Sequence, residues 1–98
     1  MAKGYWVTFY HSVSNPDALA EYGKLAGPAI QAGGGRFLAR GLPAKTYEAE
    51  ATGNQRAVVI EFDSVEQAIR THDSEAYQAA VKVLKGAVRE IRIMEGIA

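Results

Sequence analysis

The sequence contains no cysteine, no excess of charge of either sign and no long apolar run. The absence of cysteine excludes a disulfide framework, a thiolate nucleophile, an iron–sulfur cluster and any zinc site with cysteine ligands. Eleven Lys and Arg residues balance eleven Asp and Glu residues, so the chain offers no electrostatic footprint for nucleic acid or an anionic membrane. The longest uninterrupted apolar stretch, Ala57 to Ile60, is far shorter than a membrane span. We therefore expect neither nucleic acid nor a membrane as a partner.

What is present is the composition of one globular domain. The chain has 98 residues, of which 48% are hydrophobic. This is enough for a single core and predicts one domain over residues 1–98. The residues before Tyr5 contain no apolar segment of signal-peptide length, so we expect a cytoplasmic protein.

Segments rich in β-branched and aromatic residues predict four strands. The predicted strands span residues 5–13, 36–40, 56–62 and 88–97. A further strand or ribbon is expected over 45–51, where polar residues suit a sheet edge, and residues 52–55 have the composition of a hairpin turn.

Capping residues predict where the helices begin and end. Asn15 and Pro16 favour a helix start, and the glycines at 33–35 favour its end, with a kink or restart near Pro28. A second helix begins at a capping box formed by Ser64 and Gln67. Asp73 and Ser74 cap this helix again, and it continues to about Lys85.

The order of elements is strand, helix, strand, ribbon, strand, helix, strand. It predicts an α+β, ferredoxin-like split βαβ fold, with a four-stranded antiparallel sheet, two helices on one face and an extra ribbon. Both faces of the first strand are apolar or aromatic, since the residues from Tyr5 to Tyr10 offer no polar side. Because two helices cover only one face, we expect a homodimer whose sheets pack face to face.

Four segments in order resemble the small bacterial family called domain of unknown function 1330, of the dimeric α/β-barrel superfamily. The segments are Lys3–Trp6, Gly34–Gly41, Val58–Ser64 and Asp73–Gln78. The resemblance covers nearly the whole chain and implies a ferredoxin-like fold in a homodimer with facing sheets. It implies no activity, because relatives in the superfamily include cofactor-free monooxygenases, isomerases, haem enzymes and stress-response proteins.

Arg40 and Glu61 are the first candidate site residues. Both lie near strand ends among apolar neighbours and match segments of the family resemblance. A Glu within the run from Val58 to Phe62 needs a partner or a function, because an unpaired buried carboxylate is costly. In the functional interpretation, Glu61 is a general base or ligand anchor with a raised pKa, and Arg40 holds a substrate carboxylate. In the structural interpretation, the two residues form an ion pair, or Glu61 lies at the rim of the sheet.

The second set of candidates contains imidazole and aromatic groups. His72 is a candidate acid–base residue, and its neighbour Asp73, which also suits a helix cap, is a candidate ligand-binding residue. Tyr77 could hold a carboxylate or an oxyanion, and Trp6 and Tyr22 could line an aromatic pocket between helices and sheet. Only two histidines are present, so a three-histidine metal site is excluded within one chain, and we expect no metal or cofactor.

Three functions remain open from the sequence. The first is a homodimer that binds a small carboxylate or aromatic molecule in a cleft between helices and sheet. The second is an enzyme on the same cleft, a cofactor-independent monooxygenase or isomerase with Glu61 or His72 as base. The third is a structural or interaction module without a ligand. A pocket above roughly 300 Å³ favours the first two, whereas an Arg40–Glu61 pair without a cavity favours the third.

Overall fold

The computed structural model describes residues 2–49 and 55–97, which form four strands and three helices. The elements are β1 (Gly4–Val13), α1 (Pro16–Ala32), β2 (Arg36–Gly41), β3 (Ala57–Phe62), α2 (Val65–His72), α3 (Glu75–Val83) and β4 (Ala87–Glu95). The strands form one sheet in the order β2-β3-β1-β4, and every neighbouring pair is antiparallel. This is the expected ferredoxin-like α+β architecture, and the second predicted helix is divided into α2 and α3 at the predicted cap.

The register of the central strands assigns each side chain to a face of the sheet. Trp6 lies opposite Ile60 on β3 and opposite Ile93 on β4. Trp6 and Ile60 are buried, and their face packs against the helices in a core that includes Ala26 of α1 and Ala80 of α3. We call this the inner face. Because side chains alternate along a strand, the neighbouring residues belong to the opposite face, which no described helix covers and which we call the open face.

Side-chain caps begin all three helices. Asn15 Oδ1 accepts from the Ala18 N–H at 3.1 Å, and Ser74 Oγ accepts from the Tyr77 N–H at 3.2 Å. Ser64 caps α2 as predicted, since its Oγ accepts from the backbone N–H of Gln67 at 3.1 Å. The side chain of Gln67 does not complete the capping box, because it donates to the Gly33 carbonyl at 2.7 Å and joins α2 to the end of α1.

Two local expectations were wrong. Of the kink or restart expected near Pro28, the restart was wrong, because helix α1 continues through this residue. Because proline has no backbone N–H, the Lys24 carbonyl lacks its usual helical hydrogen bond. Lys24 is exposed, so its carbonyl can bind water instead. The strand expected from Lys45 does not form over 45–49, where Glu48 has a φ of 51°, a left-handed conformation that breaks an extended chain. The rest of that ribbon and positions 52–54 of the hairpin lie outside the described residues.

No helix in the described ranges has both the length and the apolar character needed to cross a bilayer.

Candidate functional site

A cavity lies between α1 and the inner face of the sheet. Its internal volume is about 80 Å³, and about 510 Å³ lies between its walls when the open mouth is included. The apolar part of the wall is formed by aromatic and aliphatic side chains, among them Trp6, Leu19, Tyr22, Ile30, Phe37 and Ile60. Three guanidinium groups complete the lining, those of Arg40, Arg56 and Arg89.

Arg89 is the most constrained of these arginines. It lies on β4 opposite Tyr10 of β1, on the inner face. Its Nη1 donates to the hydroxyls of Tyr10 at 3.2 Å and Tyr22 at 3.0 Å, and its Nη2 donates to the Tyr77 hydroxyl at 3.3 Å. The Tyr22 and Tyr77 oxygens are 2.6 Å apart and share a hydrogen bond. One guanidinium thus connects three tyrosine hydroxyls from β1, α1 and α3.

The charges of this cluster are well defined. Burial opposes the charge of Arg89, but the hydroxyl oxygens, that of Tyr22 foremost, outweigh it and raise the pKa of the guanidinium. Burial also raises the pKa of Tyr22 and of Tyr10, so both hydroxyls keep their protons at neutral pH. The cluster therefore carries one fixed positive charge beside the neutral hydroxyls of Tyr10 and Tyr22.

No carboxylate balances the arginines of the cavity. Among residues 2–49 and 55–97, no Asp or Glu contributes to the lining. Arg40 places its Cζ atom 5.1 Å from the centre of the Phe37 ring, a cation–π contact. Within the same residues, neither Arg40 nor Arg56 forms an ion pair. The cavity is accordingly positive in a chain whose formal net charge is zero, and it suits an anion.

Three of the predicted site residues meet at this cavity. Trp6, Tyr22 and Arg40 all contribute to its wall. Tyr77 does not line the cavity, but it forms hydrogen bonds with two residues that do, Tyr22 and Arg89.

His72 and Asp73 lie elsewhere, at the junction of α2 and α3. His72 Nδ1 is 3.0 Å from Asp73 Oδ1, and neither residue lines the cavity. The His72 ring contacts Trp6 and Tyr77, with ring centres 5.4 and 5.2 Å apart. These two aromatic rings therefore separate the imidazole from the cavity.

Glu61 lies on the open face, and its environment corrects two expectations. Its carboxylate accepts from Arg36 Nε at 3.0 Å and from the Tyr5 hydroxyl at 3.0 Å. These hydrogen bonds, first that of Arg36, lower the pKa of Glu61. The expected raised pKa was wrong, because the carboxylate is paired rather than isolated. The expected ion pair with Arg40 was also wrong, since Arg40 faces the opposite side of the sheet.

The other histidine, His11, also forms a surface pair. Its Nε2 is 2.9 Å from Glu90 Oε1, and Glu90 in turn accepts from Arg92 at 2.7 Å. Across residues 2–49 and 55–97, no group of three His, Cys, Asp or Glu side chains is arranged to hold a metal ion.

Sequence reasoning missed Arg89, Arg56 and Phe37 as cavity residues, and for Tyr10 it left open a place in the core or dimer interface and a place in an aromatic pocket. For Arg89 a signal was available. The alternation along the last strand places Arg89 on the same face as Ile91 and Ile93. A charged residue on an apolar strand face needs a polar partner in the core or a ligand, and this is the same argument that selected Glu61.

The size of the cavity falls below the expected threshold. An internal volume of about 80 Å³ compares with roughly 300 Å³ for a complete small-molecule pocket. Only part of a ligand, such as an anionic head group, fits inside, and the remainder would occupy the open mouth.

The fold and cavity together define a ferredoxin-like α+β domain with an arginine-lined aromatic cavity between its first helix and its sheet. The chain belongs to the family described as domain of unknown function (DUF1330), whose model matches residues 3–97. A search of curated proteins gave no match.

Solved structures of similar fold come from several bacteria. RPA0582 of Rhodopseudomonas palustris, a protein of unknown function, has a TM-score of 0.73 at 18% identity, covering 99% of this chain and 84% of its own. SnoaB of Streptomyces nogalater, a cofactor-independent oxygenase, has a TM-score of 0.68 at 8% identity, covering 100% and 96%. A dimeric ferredoxin-like protein of unknown function from Thermobifida fusca has a TM-score of 0.65 at 16% identity, covering 96% and 91%. At these identities the likeness establishes the fold alone.

Proposed function

We propose that this protein binds a small aromatic or carboxylate anion in the cavity between α1 and the sheet. The observation that carries the proposal is the lining, which combines aromatic rings with three guanidinium groups and, within the described residues, no carboxylate. Guanidinium groups bind carboxylates through paired hydrogen bonds, and within the described residues neither Arg40 nor Arg56 is paired with a carboxylate. The anionic group would enter the cavity, and an apolar or aromatic part would occupy the open mouth.

The proposal includes self-association through the open face. Large apolar residues are exposed there, including Phe9 at 44% and Met94 at 50%. Their side of the sheet is opposite the cavity, so a second copy packed on it would leave the cavity accessible. The structural relative from Thermobifida fusca is described as dimeric, which supports this arrangement. A light-scattering mass of one chain at micromolar concentration would contradict it.

Trp6 provides a direct test of ligand binding. It is the only tryptophan of the chain and it lines the cavity, so its fluorescence reports on an occupant. Benzoate and phenylacetate are expected to change this fluorescence in a saturable way, whereas benzylamine, a cation of similar size, is expected to leave it unchanged. Arg40→Gln should weaken benzoate binding, because it removes one cavity charge.

The matched control is Arg70→Gln on α2. Arg70 is exposed and lies outside the cavity lining. This variant changes the net charge by the same amount and should bind benzoate like the wild type. Equal binding of benzoate and benzylamine, or equal losses in the two Gln variants, would refute anion recognition by the cavity.

The second candidate function is a cofactor-independent oxygenase or isomerase at the same cavity. It is supported by the fold shared with SnoaB and by the guanidinium and hydroxyl groups, which can stabilise a developing oxyanion. It ranks second because its proposed bases, Glu61 and His72, do not line the cavity. Oxygen uptake or isomerisation with aromatic acids and phenols would reveal turnover. If Glu61→Gln and His72→Gln both retained full turnover, neither residue would be the base.

A further inference from the structure

We propose that the hydroxyl groups of Tyr10 and Tyr22 are the hydrogen-bond donors that bind the anion, and that Arg89 is a positioning residue that leaves their protons free for it. The inference rests on the proposed function and specifies the ligand further, as one that places an oxyanion between two tyrosine hydroxyls. It follows from which atoms of the cluster can donate a hydrogen bond and which must accept one.

Arg89 determines the polarity of the hydroxyls around it. A guanidinium donates hydrogen bonds and cannot accept one, so each hydroxyl oxygen that it contacts must be the acceptor. Each tyrosine hydroxyl then still has its own proton to donate. For the Tyr10 hydroxyl, Arg89 is the only hydrogen-bond partner in the part of the chain that the structure describes. The Tyr10 proton therefore has no protein acceptor there, although the residue is buried and lines the cavity.

The pair formed by Tyr22 and Tyr77 leaves one further proton. Their oxygens are 2.6 Å apart, so one hydroxyl donates to the other and one proton remains. Tyr77 is completely buried and does not line the cavity, whereas Tyr22 does. If Tyr22 donated to Tyr77, the Tyr77 hydroxyl proton would have no acceptor in the core. This would leave an unsatisfied buried polar group, which is costly. The favourable arrangement has Tyr77 donating to Tyr22, which leaves the Tyr22 proton for the cavity.

The two remaining protons belong to neighbouring groups. The hydroxyl oxygens of Tyr10 and Tyr22 are 3.2 and 3.0 Å from the same Nη1 atom of Arg89. Two O–H donors and a guanidinium on one wall of the cavity complement an acceptor with negative charge. An ammonium group offers only donors, so it would leave these protons unpaired and meet the charge of Arg89. The arrangement selects a carboxylate, phenolate or enolate oxygen.

Two probes and two substitutions test the donors. Benzoate and 4-nitrophenolate present the same oxyanion chemistry from a carboxylate and from a phenol. Hydrogen bonds to charged groups contribute enough that Tyr10→Phe and Tyr22→Phe should each weaken binding by about tenfold or more in calorimetric titrations. The control is Tyr5→Phe, which removes a hydroxyl that donates to Glu61 on the open face. It should bind both probes like the wild type.

The pKa of bound 4-nitrophenol provides a readout that a merely structural role would not change. A site that donates hydrogen bonds to the phenolate lowers this pKa below its value in free solution, and the absorbance of the ionised form reports it directly. Both Phe variants at positions 10 and 22 should raise the bound pKa towards the free value. Folding of each variant is checked by circular dichroism, and the bound pKa is compared among folded variants only.

A double-mutant cycle tests the positioning role of Arg89. The amide oxygen of Arg89→Gln can accept the Tyr10 proton, so this proton is no longer reserved for the ligand. Adding Tyr10→Phe to Arg89→Gln should therefore cost less affinity than Tyr10→Phe costs in the wild type. Equal costs would show that Arg89 does not set the polarity of Tyr10.

The remaining outcomes separate this inference from the proposed function. If the wild type binds neither benzoate nor 4-nitrophenolate, the proposed function fails, and the inference fails with it. If the wild type binds them and either Phe variant binds equally well, only the assignment of two tyrosine donors is overturned.

Discussion

Replacing Gly23 of α1 with alanine should stabilise the fold and weaken ligand binding in the same variant. Gly23 lies within α1 and lines the cavity, and a Cβ atom there would meet no other heavy atom within 4 Å. Glycine inside a helix is less favourable than alanine by about 0.8–1 kcal/mol. With no clash to offset this gain, Gly23→Ala should raise the free energy of unfolding by about that amount. Gly27 has the same open space, but its gain should be smaller, because Pro28 follows it and disfavours the helical conformation of a residue with a Cβ.

The loss of binding follows from the position of the new methyl group. The cavity has an internal volume of only about 80 Å³, so a methyl group on its wall removes part of the space that a ligand needs. Overpacking of this kind typically costs about 1–3 kcal/mol, which corresponds to a fall in affinity of about 5- to 150-fold. Glycine at position 23 would then lower the stability of the helix and leave more space in the cavity for a ligand.

The assay combines urea and thermal unfolding, both monitored by circular dichroism, with benzoate titration at one fixed protein concentration. A gain of about 1 kcal/mol should raise Tm by about 4–8 °C for a domain of this size. Ala20→Gly, at an exposed position of the same helix, is the control. It should lose a similar free energy and keep the wild-type affinity for benzoate. If Gly23→Ala gained stability without losing affinity, the glycine would not serve the cavity, and if it lost stability, the space assigned beside it would be wrong.

Three further predictions concern the sheet. Gly4→Ala should lower the free energy of unfolding by about 1–3 kcal/mol in urea titrations, because its Cβ would lie 2.5 Å from the Ser64 carbonyl oxygen; wild-type stability would contradict this close approach. Hydrogen bonding lowers the pKa of Glu61 from its ordinary 4.5, so its contribution to stability is complete above that pH and is lost as the pH falls through the lowered pKa; the stability of Glu61→Gln should fall less over this range. Phe9→Lys places a charge on the exposed apolar surface of the open face and should reduce the light-scattering mass from two chains to one, whereas an unchanged two-chain mass would place the interface elsewhere.

Most of the fold was predictable because its signals are local. The caps at Asn15, Ser64 and Ser74 act within three residues, and all three begin helices as expected. Alternation along the strands also separated the two faces of the sheet correctly. The absence of a restart at Pro28 has a physical reason, since a proline removes one hydrogen bond and the remaining helix is held by its packing, chiefly against α3.

The site was harder to predict because its geometry depends on which face the helices cover. Glu61 and Arg40 look alike in sequence, each a charged residue beside apolar neighbours. The register places Glu61 opposite Tyr5, on the open face, and Arg40 opposite Val58, on the inner face. Alternation assigns each residue to one of two faces without saying which face carries the cavity.

The cluster around Arg89 shows why pairwise contacts of long sequence separation escape local reasoning. Its three hydroxyl partners are 79, 67 and 12 residues away along the chain. None of these partners is marked in sequence by more than its aromatic character, which equally suits a core position. An arginine on an apolar strand face, however, must find acceptors in the core, and tyrosine hydroxyls accept without cancelling its charge. A structural ion pair would instead have neutralised it, so the choice of tyrosine as partner is itself an argument that the positive charge is kept for a ligand.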